Sequence, residues 1–385
     1  MGKQINMGIS DVARKCKKAW VGIDGVARKV KKGWIGDANG IARLFYSGDI
    51  GYFGMAPNLT SQTQNAYYMH RATFNDYGFV GKNTTLDIYS PTLTKQVISN
   101  VVLGAEDEDN HRTGDAPVKN KYLIIGNAKY ATKWSSISAS FTLSTLTGAY
   151  QASDIAVSLG DYALFGGGCF SNDTDFEVYG NVIAFNESLT KTNLTSLSYN
   201  RRAMAAEKIG DYALFIGGGC NDGSSGVKYI DVYDKNLTKI NTTIQLNYQR
   251  FDACAVALNN HIIVYGGNCN TYIQSAKAEL INASLTVSIL DATTVNFLYM
   301  IEGVVVGEYA LFAMGFDDWN MDYTDEVVVY DATLTKRTDL GLKLCAKSYN
   351  GVGIRAGDYA LFGGGRYESS DGTKGYRTTV EAFSI

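Results

Sequence analysis

The stretch Gly-Asp-Tyr-Ala-Leu-Phe begins at residues 160, 210 and 357, and each time it runs on into three consecutive glycines. Weaker copies start at Asp76, Lys121, Asn260 and Gly307. The acidic anchors at 161, 211, 308 and 358 stand about 50 residues apart, the interval from 211 to 308 covering two steps around Asn260. Seven copies fit between residues 70 and 385. A period of this length marks a chain whose units bury their apolar faces against one another.

The local chemistry of the repeat is that of strands. Tyr-Ala-Leu-Phe and Val327-Val-Val-Tyr330 are short, aromatic or β-branched, and closed by glycine or a turn. Apolarity over four or five consecutive residues suits strands covered on both faces. A second apolar segment ending in Leu-Thr follows, as in Ile230-Asp-Val-Tyr-Asp-Lys-Asn-Leu237-Thr238. The diglycines are expected where strands crowd toward a central axis, leaving no room for Cβ and calling for positive φ. None of them matches a phosphate-binding loop, which needs a lysine or an entering helix. Composition agrees: 41 Gly with only 3 Pro excludes collagen and disordered chains, and 26 Tyr supply a large core. No apolar run approaches the length of a membrane-spanning helix, and no membrane partner is expected.

On these residues the chain resembles the kelch family of β-propellers, in which a Gly-Gly pair closes an inner strand of each four-stranded blade. Arg201 and Arg250 occupy the family's basic position before the Gly-Gly strand, while its spaced Tyr and Trp late in the blade are missing. The resemblance covers about residues 48–385 and implies an all-β, seven-bladed, kelch-like β-propeller as a domain of residues 47–385. Leu59-Thr60-Ser61 precedes Asp76 as Leu194-Thr195-Ser196 precedes Asp211, so residues 50–62 are expected to be the outer strand of the last blade. The copy ending at Ile385 lacks a Leu-Thr continuation, so an N-terminal strand would close the ring.

Residues 1–46 form a different segment. They hold ten basic residues against three acidic, a balance of +7, and leave 25 basic against 35 acidic, or −10, for the rest. No 7–15-residue apolar stretch follows Met1, so a secretion signal is not expected. Asp11-Val-Ala-Arg-Lys-Cys-Lys-Lys-Ala-Trp-Val-Gly22 returns as Gly25-Val-Ala-Arg-Lys-Val-Lys-Lys-Gly-Trp-Ile-Gly36, and a truncated copy runs from Gly40 to Tyr46. A solvated basic tail needs no such register. Glycines at 22, 25, 33, 36 and 40 chop any helix, so short strands linked by turns are expected.

This repeat resembles one at the start of structural proteins of phages, prophages and phage-tail-like particles of Firmicutes. The resemblance implies a virion or tail-particle component assembled in the host cytoplasm, with the propeller exposed as tail fibre, host-attachment adhesin or decoration. Arg14, Trp20, Arg28, Trp34 and Arg43 would form the assembly arm. Its partners would be other particle proteins, in a homo-oligomer or symmetric assembly.

Candidate ligand residues lie in the segments after the Gly-Gly strands: Trp134, Asp175, Asp222, Asp317, Asp318, Trp319, Tyr323, Tyr367 and Glu368. Aromatics beside carboxylates suit a host-surface glycan, by stacking on sugar C–H faces and bonding hydroxyls, or a protein. His70, His111 and His261, the only histidines, form no nucleophilic arrangement with Ser, Cys or Asp that spacing supports. The acidic stretch Glu106–Asp115 lacks the order of a calcium loop and reads as a solvated insertion. Six Cys without a CxxC pair read as free thiols. Neither cofactor nor metal nor catalysis is expected. Two other readings remain at this point: a carbohydrate-active enzyme using Asp317, Asp318 or Glu368, and an intracellular protein-interaction module.

Overall fold

The computed structural model describes strand segments between residues 19 and 47. From 50 to 384 it describes all but 61–69, 83, 102–113, 127–132, 148–152, 154, 172–175, 220–225, 269–276, 292–297, 318–321 and 369–372. Two compact units divide the chain, residues 1–51 with Ile385, and residues 52–384.

In the first unit, Ala19–Ile23 pairs antiparallel with Val26–Val30, and Lys32–Gly36 with Ala42–Ser47. The expectation of short strands holds for these residues, and the pairing has a rule. Trp20 faces Lys29 and Val21 faces Arg28, while Trp34 faces Leu44 and Ile35 faces Arg43. Each hairpin therefore joins the Trp half of one repeat to the Ala-Arg half of the next.

The second unit is all-β and propeller-like. Its recurring element is a four-stranded antiparallel sheet, first His70–Phe74, Tyr77–Lys82, Thr85–Tyr89 and Lys95–Ser99. Similar sheets begin with Asp115–Val118 and Ile155–Leu159. Two more, beginning with Ala205–Ile209 and Gln245–Leu258, are continuous through the pairing of Gln245–Leu258 with Val227–Asp234. Glu302–Val306, Tyr309–Ala313 and Val328–Asp331 form a three-stranded sheet. In the last, Val352–Ala356, Tyr359–Gly363 and Val380–Ser384 are joined at the edge by Gly51–Ala56. Among the described residues, no helix is long and apolar enough to cross a membrane.

The core lies in layers between successive sheets. One layer sets Leu214, Ile216 and Val232 against Ile262, Val264 and Ile281. Another sets Val352, Ile354 and Leu361 of the last sheet against Val80 and Tyr89 of the first, with Ala56 and Leu59 included. Strands such as Tyr309–Ala313 are buried along their whole length, as continuous apolarity requires.

The Leu-Thr segments are hairpin turns between third and fourth strands. The first turn residue turns its side-chain oxygen inward to accept two backbone N–H groups. Asn186 takes those of Ser188 and Thr190, each at 3.0 Å, and Asp234 those of Asn236 and Thr238, each at 2.9 Å. The Leu before Thr then adopts positive φ, 58° at Leu189 and 65° at Leu237, which places its side chain against a core layer.

Positive φ holds at Gly167, Gly217 and Gly266, and none of them has room for a Cβ, as expected. A Cβ on Gly167 would stand 2.5 Å from the carbonyl O of Arg201, and one on Gly217 2.6 Å from that of Arg250. The next N–H, of Gly168 or Gly218, donates to the same carbonyl at 2.9 Å. Each Gly-Gly thus grips the connection that enters the following sheet.

The register expected for Leu59 shifts. The N–H of Leu59 donates to Thr378 O and that of Leu197 to Gly180 O, both at 2.7 Å, so Leu59 corresponds to Leu197 rather than Leu194. Gly51–Ala56 is the edge strand, and residues 57–60 are the connection onward. The longer spacing to Asp76 had disguised this.

Candidate ligand-binding face

At the Gly-Gly end of the last two sheets, the chain builds an additional sheet. Leu298–Tyr299, Phe316–Asp317, Asp322–Glu326, Lys343–Tyr349, Arg366–Glu368 and Lys374–Tyr376 pair in that order. Partly exposed rings gather on it: Tyr323 lies 4.5 Å from Tyr349, and Phe316 5.6 Å from Tyr349, between centroids. The Arg366 guanidinium stands 5.5 Å from the Tyr376 ring centroid and donates to the hydroxyls of Tyr376, at 3.2 Å, and Tyr349, at 3.4 Å. Burial pushes the Tyr349 phenol well above its usual range, so it stays neutral and able to donate. Lys347 pairs with Asp322 and faces Glu368 across the strands. Rings with hydrogen-bonding rims and paired charges suit a polar, C–H-rich ligand.

This sheet gathers several sequence candidates and leaves others apart. Tyr323, Tyr367 and Glu368 lie on it, partly buried. Asp317 is on it too, but only 7 % exposed and opposite Leu298, so it is not a surface carboxylate. Trp134 is a correction: it is 0 % exposed, with ring centroids of Phe165 and Phe185 at 4.9 and 5.8 Å. It fills the layer between two sheets because it stands on Lys133–Ser138, a strand rather than a loop. Asp175, Asp222, Asp318, Trp319 and His111 lie outside the described residues, as does Arg14 in the arm. Trp20, Arg28, Trp34 and Arg43 stand on the paired strands of the two hairpins.

The first strands of the sheets line a channel that sequence reasoning did not isolate. A cavity of about 550 Å3 takes residues from every first strand, among them Arg71, Asp115, Glu207, Lys208 and Arg355. Near its Gly-Gly end His70 Nδ1 lies 2.9 Å from Asp115 Oδ1, and Arg71 Nε lies 2.9 Å from Glu302. Asp115 is therefore not a solvated loop residue but the buried start of a strand, 2 % exposed at the side chain. These contacts join separate sheets, and partners so far apart in sequence leave no local pattern. Burial pushes the Glu207 carboxyl up to about 7, against hydrogen bonds from the N–H groups of Lys208 and Ala257.

Arg201 and Arg250, at the basic position, are fully buried. Arg201 pairs with Asp231 and bonds the carbonyls of Gly217, at 2.7 Å, and Tyr229, at 2.8 Å. Arg250 pairs with Glu279 at 2.9 Å. Their role is to lock connections, not to meet a ligand.

No family model and no curated protein matches the chain. Among solved structures, that of YjhT is similar, with a TM-score of 0.51 at 12% sequence identity over 70% of this chain and 93% of YjhT. The likeness is one of fold.

Proposed function

We propose that this protein is a structural component of a phage or phage-tail-like particle, without catalytic activity of its own. A basic arm, residues 1–46, docks to other particle proteins. A seven-bladed, kelch-like propeller, residues 47–385, serves in host attachment or decoration, with the aromatic sheet as its contact for a surface glycan or protein. The observation that carries the proposal is the arm. From the Trp to the closing Gly its repeats pair in the same register in both hairpins, Trp20 against Lys29 and Trp34 against Leu44, as an assembly element would and a solvated tail would not.

Seven blades closed by an N-terminal strand are supported by the neighbours of the inner strands. His70–Phe74 packs on Asp115–Val118 and also on Val352–Ala356, at the two ends of the repeat region. The edge position of Gly51–Ala56 beside Val380–Ser384 favours the same closure.

Expression of the tagged full-length protein and of a form lacking residues 1–46 in a particle-producing host tests this. The full-length protein should sediment with particles and the shortened one should not. Full-length protein that stays monomeric and never sediments with particles overturns the proposal.

A further inference from the structure

Lys208 lies on Ala205–Ile209, one residue before the strand's end at the Gly210-Asp211 turn. Because Ile209 pairs with Tyr212 and Ala205 with Ile216, this is the end of the channel opposite the Gly-Gly segments. At this level the other first strands offer Thr73, Pro117, Ser158, Ala257, Val305 and Arg355 to the same cavity of about 550 Å3. Two cations and no acid occupy the level.

The two cations differ. Arg355 is neutralised by Asp76 at 2.7 Å, much as Lys119 is by Asp161 at 3.0 Å and Lys235 by Asp211 at 2.8 Å on the nearby turns. Lys208 is exposed to the channel, and among the described residues no carboxylate pairs with it. Its neighbour Glu207 attracts it through space but forms no ion pair with it. That carboxyl occupies a position held elsewhere by Val157, Val256, Val304 or Ile354, and it is engaged by backbone N–H groups, that of Lys208 at 2.8 Å. With burial raising it to about 7, Glu207 also carries only part of a charge at neutral pH.

The hydroxyls at this level are spent within the fold. Thr73 Oγ1 donates to Arg355 O at 3.2 Å and accepts from the Arg355 N–H at 3.1 Å, and Ser158 donates to Pro117 O at 2.6 Å. What faces the cavity at this level, besides the neutralised Arg355, is the exposed Lys208 ammonium, with Pro117, Ala257 and Val305 on the other first strands. An ammonium is a point charge with three donors and suits compact oxyanions. We propose that the channel binds a small oxyanion, phosphate or carboxylate, at Lys208.

Calorimetric titration of the full-length protein with inorganic phosphate, and separately with citrate, tests this at ionic strength matched by chloride. At least one anion should bind saturably, and Lys208→Ala should weaken it at least tenfold while Lys235→Ala leaves it unchanged. Thermal melting without ligand should be the same for the wild type and Lys208→Ala, since Lys208 makes no side-chain bond in the fold. The preference between phosphate and citrate identifies the oxyanion. Saturable binding of neither anion, wild-type affinity in Lys208→Ala, or equal loss in Lys235→Ala overturns the proposal.

Discussion

The backbone N–H of Thr60 donates to Oδ2 of Asp87 at 2.6 Å, as the N–H of Ser198 donates to Asp231 at 3.1 Å. The correspondence extends outward: Tyr89 OH bonds Pro57 O at 2.8 Å and Tyr233 OH bonds Thr195 O at 2.6 Å. Lys95 and Lys239 reach the carbonyls of Asn58 and Ser196. Residues 57–60 therefore dock on the first sheet as an ordinary sheet-to-sheet connection docks in mid-chain.

Deleting residues 1–62 should accordingly do more damage than deleting 1–46. The longer cut removes the edge strand Gly51–Ala56, the clasp on Asp87, and the apolar cover of Ala56 and Leu59. A loss of about 3–5 kcal/mol is expected in urea unfolding, a large part of an ordinary domain's stability. The shorter cut should leave the transition of the 52–384 unit in place. Equal midpoints for the two truncations would show that the clasp contributes nothing.

Two glycines of positive φ separate backbone strain from crowding. Gly210 has φ 55° with open space around it, whereas Gly217 has φ 62° and the Arg250 carbonyl where a Cβ would go. Gly210→Ala should cost about 1 kcal/mol, the price of left-handed backbone alone. Gly217→Ala should cost clearly more, because the connection carrying Arg250 must move. Denaturant titration of both variants checks the order.

Glu207 gives a pH dependence of known sign. Its carboxyl rises from 4.5 to about 7 on folding, so the folded chain holds an extra proton between those values and loses stability as pH rises through them. Glu207→Gln should remove this slope. The variant should gain on the wild type between pH 5 and 8, by no more than about 3 kcal/mol, less where channel water solvates the group. Melting temperatures across that range, parallel for both proteins, would contradict it.

Much of the architecture was legible because the repeat writes its turns in residue types. Asn186 and Asp234 bond the same backbone amides of their Leu-Thr turns, and Gly167 and Gly217 each meet a connecting carbonyl. Arg201 and Arg250 were found by position, although their buried partners Asp231 and Glu279 were not. Trp134 misled because a strand begins at Lys133 without a turn signal, and a buried aromatic looks like an exposed one in sequence. The pairs His70–Asp115 and Arg71–Glu302 exist only once distant strands adjoin. The sheet that unites Tyr323, Tyr349 and Tyr367 likewise draws on separate repeats, and each piece alone reads as a polar segment.

In the proposed function the arm is the element of attachment. Trp20 and Trp34 hold equivalent places in the two hairpins, and aromatic anchors of this kind are worth about 2 kcal/mol or more each at an interface. The most direct measurement is particle association of the Trp20→Ala, Trp34→Ala double variant, at salt from roughly 50 to 200 mM. Association should be lost in the variant and, for the wild type, depend little on salt, with the melting temperature of the 52–384 unit unchanged. Unchanged association of the variant, together with tight, salt-sensitive binding of residues 1–46 to DNA, would contradict the account.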